Sequence, residues 1–151
     1  MNKTITFLAI ASALTLSGTA NAGGDRNLTG AWTNRGDSWV IAHVGNSADF
    51  STSEYDEDFG LMSLNFSGYV SSNGDRFSYR GIGEMVRFRK GDVVCRMNPS
   101  MNARGYVSGE FGGRIIHMQS CRVSGSVRCV NEDDGRTMSD NFSVSCSGAW
   151  R

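Results

Sequence analysis

The chain has 151 residues, with 15 basic and 15 acidic side chains, so its formal net charge at pH 7 is zero. A chain of this length forms one domain with a modest core, and its balanced charge argues against a nucleic-acid partner. No G-x-S-x-G, H-E-x-x-H, phosphate-loop or dinucleotide motif occurs, so no cofactor or metal is predicted, and a binding protein is favoured over an enzyme.

The chain begins with a segment typical of exported proteins. A short apolar run follows Lys3 and ends in the small residues Ala20-Asn21-Ala22. An apolar run this short, closed by an A-x-A site, predicts a signal peptide over residues 1–22 and no membrane span. Cleavage after Ala22 would leave residues 23–151 as one domain, in the periplasm or outside the cell.

Apolar and polar residues alternate along the rest of the chain. Phe142, Val144 and Cys146, for example, alternate with serines. Such alternation predicts half-buried strands, and turn residues at short intervals predict hairpins between them. The expected fold is all-β, an antiparallel meander that closes into a barrel of roughly eight strands, with a β-sandwich as the alternative.

The four cysteines, Cys95, Cys121, Cys129 and Cys146, predict two disulfides in an exported protein. Residues 121–129, CRVSGSVRC, read the same in both directions about Gly125. This palindrome predicts a hairpin folded at Gly125, which would pair Cys121 with Cys129 and leave Cys95 to reach Cys146. The alternative joins Cys95 to Cys121 and Cys129 to Cys146, and the spacing does not choose between them.

Charge is segregated along the chain. Seven acidic and no basic residues lie from Asp37 to Asp75, whereas ten basic and three acidic residues lie from Arg76 to Arg128. The favoured expectation is that the two segments pair with each other in the fold. If they do not, the arginines form a docking site for an anionic partner, because a guanidinium binds carboxylates and phosphates through two hydrogen bonds at once.

One segment resembles a known family. Leu28-Thr29-Gly30-Ala31-Trp32-Thr33-Asn34 is similar to the first strand of avidin-type proteins and, through its G-x-W, to that of lipocalins and other calycins. The resemblance implies a calycin-like barrel in which Gly30 is structural and Trp32 plugs one end. A basic residue from the last strand, here Arg151, would pack across that tryptophan. The later tryptophans of the avidin pocket are absent, so the resemblance points to the barrel more than to biotin.

Two kinds of partner fit this pattern. The first is a small ligand held inside the barrel, where the resemblance makes Asn34 and Tyr55 the counterparts of residues that contact biotin in avidins. The predicted ligand-binding residues are Asn34, Trp39, Tyr55, Phe77 and Tyr79.

The second kind of partner is an exported protein target, such as a secreted hydrolase, bound through rigid hairpins that lose little entropy on binding. The predicted partner-binding residues are Ser108, Gly109, Arg122, Ser124, Ser126 and Arg128.

A secreted hydrolase is the alternative outside the binding class. Tyr55-Asp56-Glu57-Asp58 and Glu132-Asp133-Asp134 cluster carboxylates that can serve as general acid and base if the fold sets them at a suitable separation. Neither cluster has the spacing of an EF-hand loop. Both are expected to be solvated loop tips.

Overall fold

The computed structural model describes residues 27–57, 59–109 and 113–151, and the predicted signal peptide lies outside them. Within these ranges the regular elements are ten strands. They are β1 (Gly30–Asn34), β2 (Asp37–Val44), β3 (Ser47–Asp56), β4 (Gly60–Asn73), β5 (Arg76–Gly83), β6 (Val86–Lys90), β7 (Val93–Ser108), β8 (Ile115–Asn131), β9 (Thr137–Ser145) and β10 (Gly148–Trp150). No helix that could cross a membrane occurs in the described part of the chain. The expected all-β, antiparallel fold with two disulfides is confirmed.

The strands form one sheet with the order β1-β2-β3-β4-β5-β7-β8-β10. The two ends of this path meet, because the backbone N–H of Thr33 donates to the carbonyl of Arg151 at 2.7 Å and that of Arg151 donates to Thr33 at 3.0 Å. The sheet is joined at its ends by these two bonds and not by a full ladder. Eight strands therefore curve around a single core.

Two strands lie off this path. β6 pairs with the first part of β7, and β9 pairs with the second part of β8. Because β7 and β8 are 16 and 17 residues long, they continue past the core and carry β6 and β9 with them. We call this group the side layer: β6, residues 93–99 of β7, residues 122–131 of β8, and β9.

Pro99 and Gly125 lie where the side layer leaves the main sheet. β5 pairs with β7 as far as Ser100, and β6 pairs with it from Met97, so Pro99 lies in the gap between them. Proline has no N–H to donate to a neighbouring strand, which suits a position without one. Gly125 is opposite Pro99 on β8, and a Cβ there would come within 2.0 Å of the carbonyl oxygen of Asn98. Glycine is required by this close approach.

The predicted hairpin at Gly125 is wrong. Residues 121–129 lie within a single strand, β8, and the disulfides join Cys95 to Cys129 and Cys121 to Cys146. Both pairings considered from the sequence are therefore wrong. The chain turns from β7 into β8 after Ser108 and not at Gly125. In the resulting register, Cys95 on β7 lies directly opposite Cys129 on β8.

The core is filled by aromatic side chains from distant strands. The ring centroids of Trp39 and Trp150 are 4.9 Å apart, and those of Phe50 and Tyr79 are 4.3 Å apart. The Tyr79 hydroxyl donates to the carbonyl of Ala48 at 3.2 Å. Burial raises the pKa of Tyr79, and the charge of Asp49 raises it further. The interior of the curved sheet is therefore a packed core.

The expected pairing between the acidic and basic segments is wrong for the described arginines. Arg89 pairs with Glu132 at 2.9 Å, and Arg136 pairs with Asp134 at 3.3 Å. Neither acid belongs to the segment from residue 37 to residue 75. The outward positions of β5, β7 and β8, which carry six of the nine arginines of the basic segment, face solvent and not the acidic strands.

Replacing Cys121 and Cys146 with alanine should destabilise the protein more than replacing Cys95 and Cys129. The two bridges close segments of 25 and 34 residues, so the entropic part of each loss is similar, within about 2–5 kcal/mol for a small exported domain. Alanine keeps the backbone carbonyl of Cys146, but without the bridge to β8 that carbonyl is no longer held in place, so its two buried hydrogen bonds should weaken as well. Urea unfolding of both double variants measures the difference, and equal losses would contradict the special role of Cys146.

Candidate functional site

An apolar cavity of about 320 Å³ lies outside the packed core, between the far ends of β3 and β4 and the side layer. The β3–β4 side contributes Phe59, Met62 and Leu64. Every strand of the side layer contributes apolar side chains to the opposite wall, namely Phe88, Met97, Val123, Phe142 and Val144. Phe59 and Phe88 meet edge to face with their centroids 4.8 Å apart, which joins the β3–β4 turn to β6.

The cavity forms because β3 continues past the core. Inward positions on β3 begin with Ala48 and Phe50, which are buried, and end with Glu54 and Asp56, which are half-buried. Glu54 lies opposite Met62 in the register of β3 and β4. The same face of one strand thus passes from the core into the cavity.

Three carboxylates line the cavity from β2 and β3, namely those of Asp37, Glu54 and Asp56. Partial burial raises the pKa of Glu54, and the negative charges of Asp37 and Asp56 raise it further. Burial also raises the pKa of Asp37, although the charge of Arg35 opposes that rise. Negative charge concentrated at one side of an apolar cavity favours an apolar molecule that carries a positive charge.

Trp39 connects the cavity with the core. Its side chain lines the cavity and is only 5% exposed, yet its indole nitrogen has no hydrogen-bond partner among the described residues. The indole nitrogens of Trp32 and Trp150, by contrast, donate to backbone carbonyls at 2.9 Å. An unsatisfied buried donor costs about 1–3 kcal/mol, so an acceptor atom that reached it would be stabilised.

The structure does not bring the predicted ligand-binding residues together. Trp39 lines the cavity, whereas Phe77 and Tyr79 belong to the packed core. Asn34 is buried, and its Nδ2 donates to the carbonyl of Cys146 at 3.1 Å. Tyr55 is 50% exposed and alternates with the cavity-lining positions of β3. Of the five predicted residues, one lines the cavity.

The predicted partner-binding residues fall into two places. Ser108 ends β7, with its hydroxyl 2.7 Å from Nε2 of His117, and Gly109 follows it next to residues that the structure does not describe. The other four share the outward face of β8, namely Arg122, Ser124, Ser126 and Arg128. They form part of a sheet surface and not a hairpin loop.

Trp32 is buried, and the guanidinium group that lies over its ring belongs to Arg114 and not to Arg151. Its carbon lies 5.7 Å from the centroid of the Trp32 ring. Arg151 instead continues the pairing with β1 through its backbone, and its side chain is exposed. Gly30 has a φ of 153°, and a Cβ there would lie 3.4 Å from the indole nitrogen of Trp32.

The two acidic clusters have different surroundings. Asp56 lines the cavity, and Asp58 lies outside the described residues. Glu132 is in the turn after β8 and pairs with Arg89 at 2.9 Å. Across residues 27–57, 59–109 and 113–151, no three histidine, cysteine, aspartate or glutamate side chains form a group that could hold a metal ion.

No family model, no curated protein and no solved structure matches the chain. The candidate site is therefore defined by its own geometry. Apart from Trp39, its apolar lining could not be predicted from the sequence, because it comes from segments far apart in the chain. The available signal was the inward face of β3, where Phe50 is followed at every second position by Thr52, Glu54 and Asp56. Such a change from apolar to acidic indicates that the strand leaves the core.

Replacing Glu54 with glutamine should raise the melting temperature at about pH 7 and leave it unchanged at about pH 3. Folding raises the pKa of Glu54 above 4.5, so ionisation of this carboxyl opposes folding, and stability falls as the pH rises through the folded-state pKa. Glutamine does not ionise, so the E54Q variant should not lose stability in this way as the pH rises. Thermal unfolding across this pH range tests the expectation, with Glu57→Gln in the β3–β4 turn as the control. A gain for E54Q at low pH as well would mean that the charge is not its cause.

Proposed function

We propose that the protein is an exported, non-enzymatic binding protein that holds an apolar ligand with a basic group in the cavity between β3–β4 and the side layer. The observation that carries this proposal is the division of the cavity lining, which is apolar on the side layer and carboxylate-bearing on β2 and β3. The A-x-A site at Ala20-Asn21-Ala22 and two disulfides, which are compatible with an oxidising compartment, support export.

The size and lining of the cavity suit a small ligand. Its volume of about 320 Å³ is at the lower end of the range for small-molecule sites, which are mostly apolar with a few placed polar groups. Burial of an apolar group the size of a leucine side chain contributes about 1.5–3 kcal/mol. The carboxylates of Glu54 and Asp56 would orient the basic group, and the free indole N–H of Trp39 offers one hydrogen bond to an acceptor.

The side layer is suited to hold its wall of the cavity in place. Cys95 and Cys129 are bonded across β7 and β8, and Phe88 on β6 lies opposite Cys95. Met97 follows two positions later on the same face of β7. A wall that is fixed before binding reduces the conformational entropy lost when the ligand enters.

The packed interior argues against a ligand inside the curved sheet. The rings of Trp39, Phe50, Tyr79 and Trp150 occupy the space that a central pocket would need. We nevertheless propose that the sheet is calycin-like, and the guanidinium of Arg114 over Trp32 supports this proposal. The binding site would then lie beside the sheet, because β7 and β8 continue beyond it.

Titration calorimetry with three decyl amphiphiles below their micellar concentrations tests the proposal. Decyltrimethylammonium should bind more tightly than neutral decyl maltoside, and decyl sulfate should bind most weakly at this site. Met97→Trp should abolish binding of the cation because the larger ring occupies the cavity. Val40→Trp, at an exposed position of β2, is the matched control and should bind like the native protein.

Two outcomes would contradict the proposal. If M97W folds and binds decyltrimethylammonium as the native protein does, the ligand site is elsewhere. If the neutral and cationic amphiphiles bind equally, the carboxylates of Asp37, Glu54 and Asp56 do not select the ligand. Circular dichroism of M97W and V40W establishes that both variants are folded.

A further inference from the structure

The outward surfaces of β5, β7 and β8 form a continuous basic face. These strands contain no aspartate or glutamate, and each contributes two exposed arginines. We call this surface the arginine face and define it by Arg76, Arg80, Arg96, Arg104, Arg122 and Arg128. Among the described residues, none of the six has an ion-pair partner. The face is therefore not neutralised by the described part of the fold.

One row of the sheet places like charges side by side. Arg96 on β7 lies opposite Arg87 on β6 and opposite Arg128 on β8. Like charges that are directly opposed on neighbouring strands destabilise a sheet. Packing gives no reason for three guanidinium groups in this row, because all three side chains are exposed. A bound polyanion would replace their repulsion with attraction.

The length of the face favours an extended partner over a single small anion. Arg96 and Arg104 are eight residues apart on β7, which is about 26 Å at about 3.3 Å per residue. Arg122 and Arg128 are six residues apart on β8, or about 20 Å on the same basis. A chain of repeated anionic groups can contact arginines over this length.

The side chains between the arginines carry hydroxyl and amide groups. Outward positions of β7 and β8 between the basic rows are Asn98, Ser100, Asn102, Ser124 and Ser126. Arg80 and Arg104, with Asn102 and Ser120, line a groove of about 580 Å³ beside Tyr69, which is 57% exposed. Hydroxyl and amide groups bind sugar hydroxyls, and an exposed tyrosine ring can cover the apolar face of a sugar ring. Guanidinium groups bind its carboxylates or sulfates.

We propose that the arginine face binds an acidic polysaccharide, with one part of the chain in the groove between Arg80 and Arg104. Charge complementarity selects an anionic partner, and the interleaved serines and asparagines select one rich in hydroxyl groups. Outward positions alternate with inward positions along β7 and β8, so this face is on the opposite side of those strands from the ligand cavity. The proposal is independent of the ligand proposed for the cavity.

Binding of the full-length mature protein to immobilised polymers at low ionic strength tests this proposal. Polygalacturonate and dextran sulfate should both bind, neutral dextran should not, and added salt should weaken both complexes. Arg80→Ser combined with Arg104→Ser should reduce the affinity and lower the dependence of log Kd on log salt by about one for each arginine removed. Arg35→Ser combined with Arg151→Ser removes the same charge elsewhere and should leave the affinity unchanged.

Tyr69→Ala separates sugar recognition from charge attraction. Removing the ring should weaken polygalacturonate binding several-fold. Because the substitution leaves the net charge unchanged, any residual binding to poly-L-glutamate should stay the same. Binding to only one of the two acidic polysaccharides would support the proposal and assign carboxylate or sulfate as the recognised group. Tighter binding to poly-L-glutamate, or to phosphatidylglycerol vesicles, than to both polysaccharides would overturn it. Equal losses in the two double-arginine variants, or no binding to any polymer, would also overturn it.

Discussion

The fold depends on the interactions of a single residue, Cys146. Its sulfur is bonded to Cys121 on β8, and its N–H donates to the carbonyl of Cys121 at 2.9 Å. Its carbonyl accepts hydrogen bonds from Nδ2 of Asn34 on β1 and from the indole nitrogen of Trp150 on β10. β1, β8 and β10 are thereby fixed around one peptide unit. The two bonds between Thr33 and Arg151 then join the ends of the sheet.

The same constraint separates the core from the side layer. Cys146 directly follows β9 and precedes β10, so the chain leaves the side layer and enters the main sheet at the residue that is bonded to β8. Trp150, the last residue of β10, fills the core against Trp39. The cavity lies beside this junction, and Cys146 is one of the residues that line it.

The two proposed binding surfaces are opposite faces of the same strands. Met97 and Val123 line the cavity, whereas their chain neighbours Arg96 and Arg122 point to the outward face. Period-two alternation therefore gives one pair of long strands an apolar face and a basic face. The apolar face is covered by β3 and β4, and the basic face is exposed because no described strand lies over it.

Much of the fold could be predicted from the sequence, since alternation and turn residues are local signals. The disulfide pairing could not, because Gly125 is equally compatible with a hairpin and with a strand that passes close to Asn98. The structure shows the strand, in which Gly125 pairs with Pro99 of β7, a residue distant in sequence. The cavity was also beyond prediction, since Phe59, Phe88 and Phe142 meet only after β6 and β9 have paired. The arginine face could be anticipated as a conditional docking site, because its charge is visible in the sequence.

Methyl resonances of the methionines test most directly whether the ligand site is the cavity. Met62 and Met97 line the cavity, whereas Met101 and Met118 are 0% and 2% exposed in the core. In a titration of methyl-labelled protein with decyltrimethylammonium, we expect shifts for Met62 and Met97 and unchanged positions for Met101 and Met118. Shifts at Met101 and Met118 without shifts at Met62 and Met97 would place the ligand inside the curved sheet and contradict binding in the cavity.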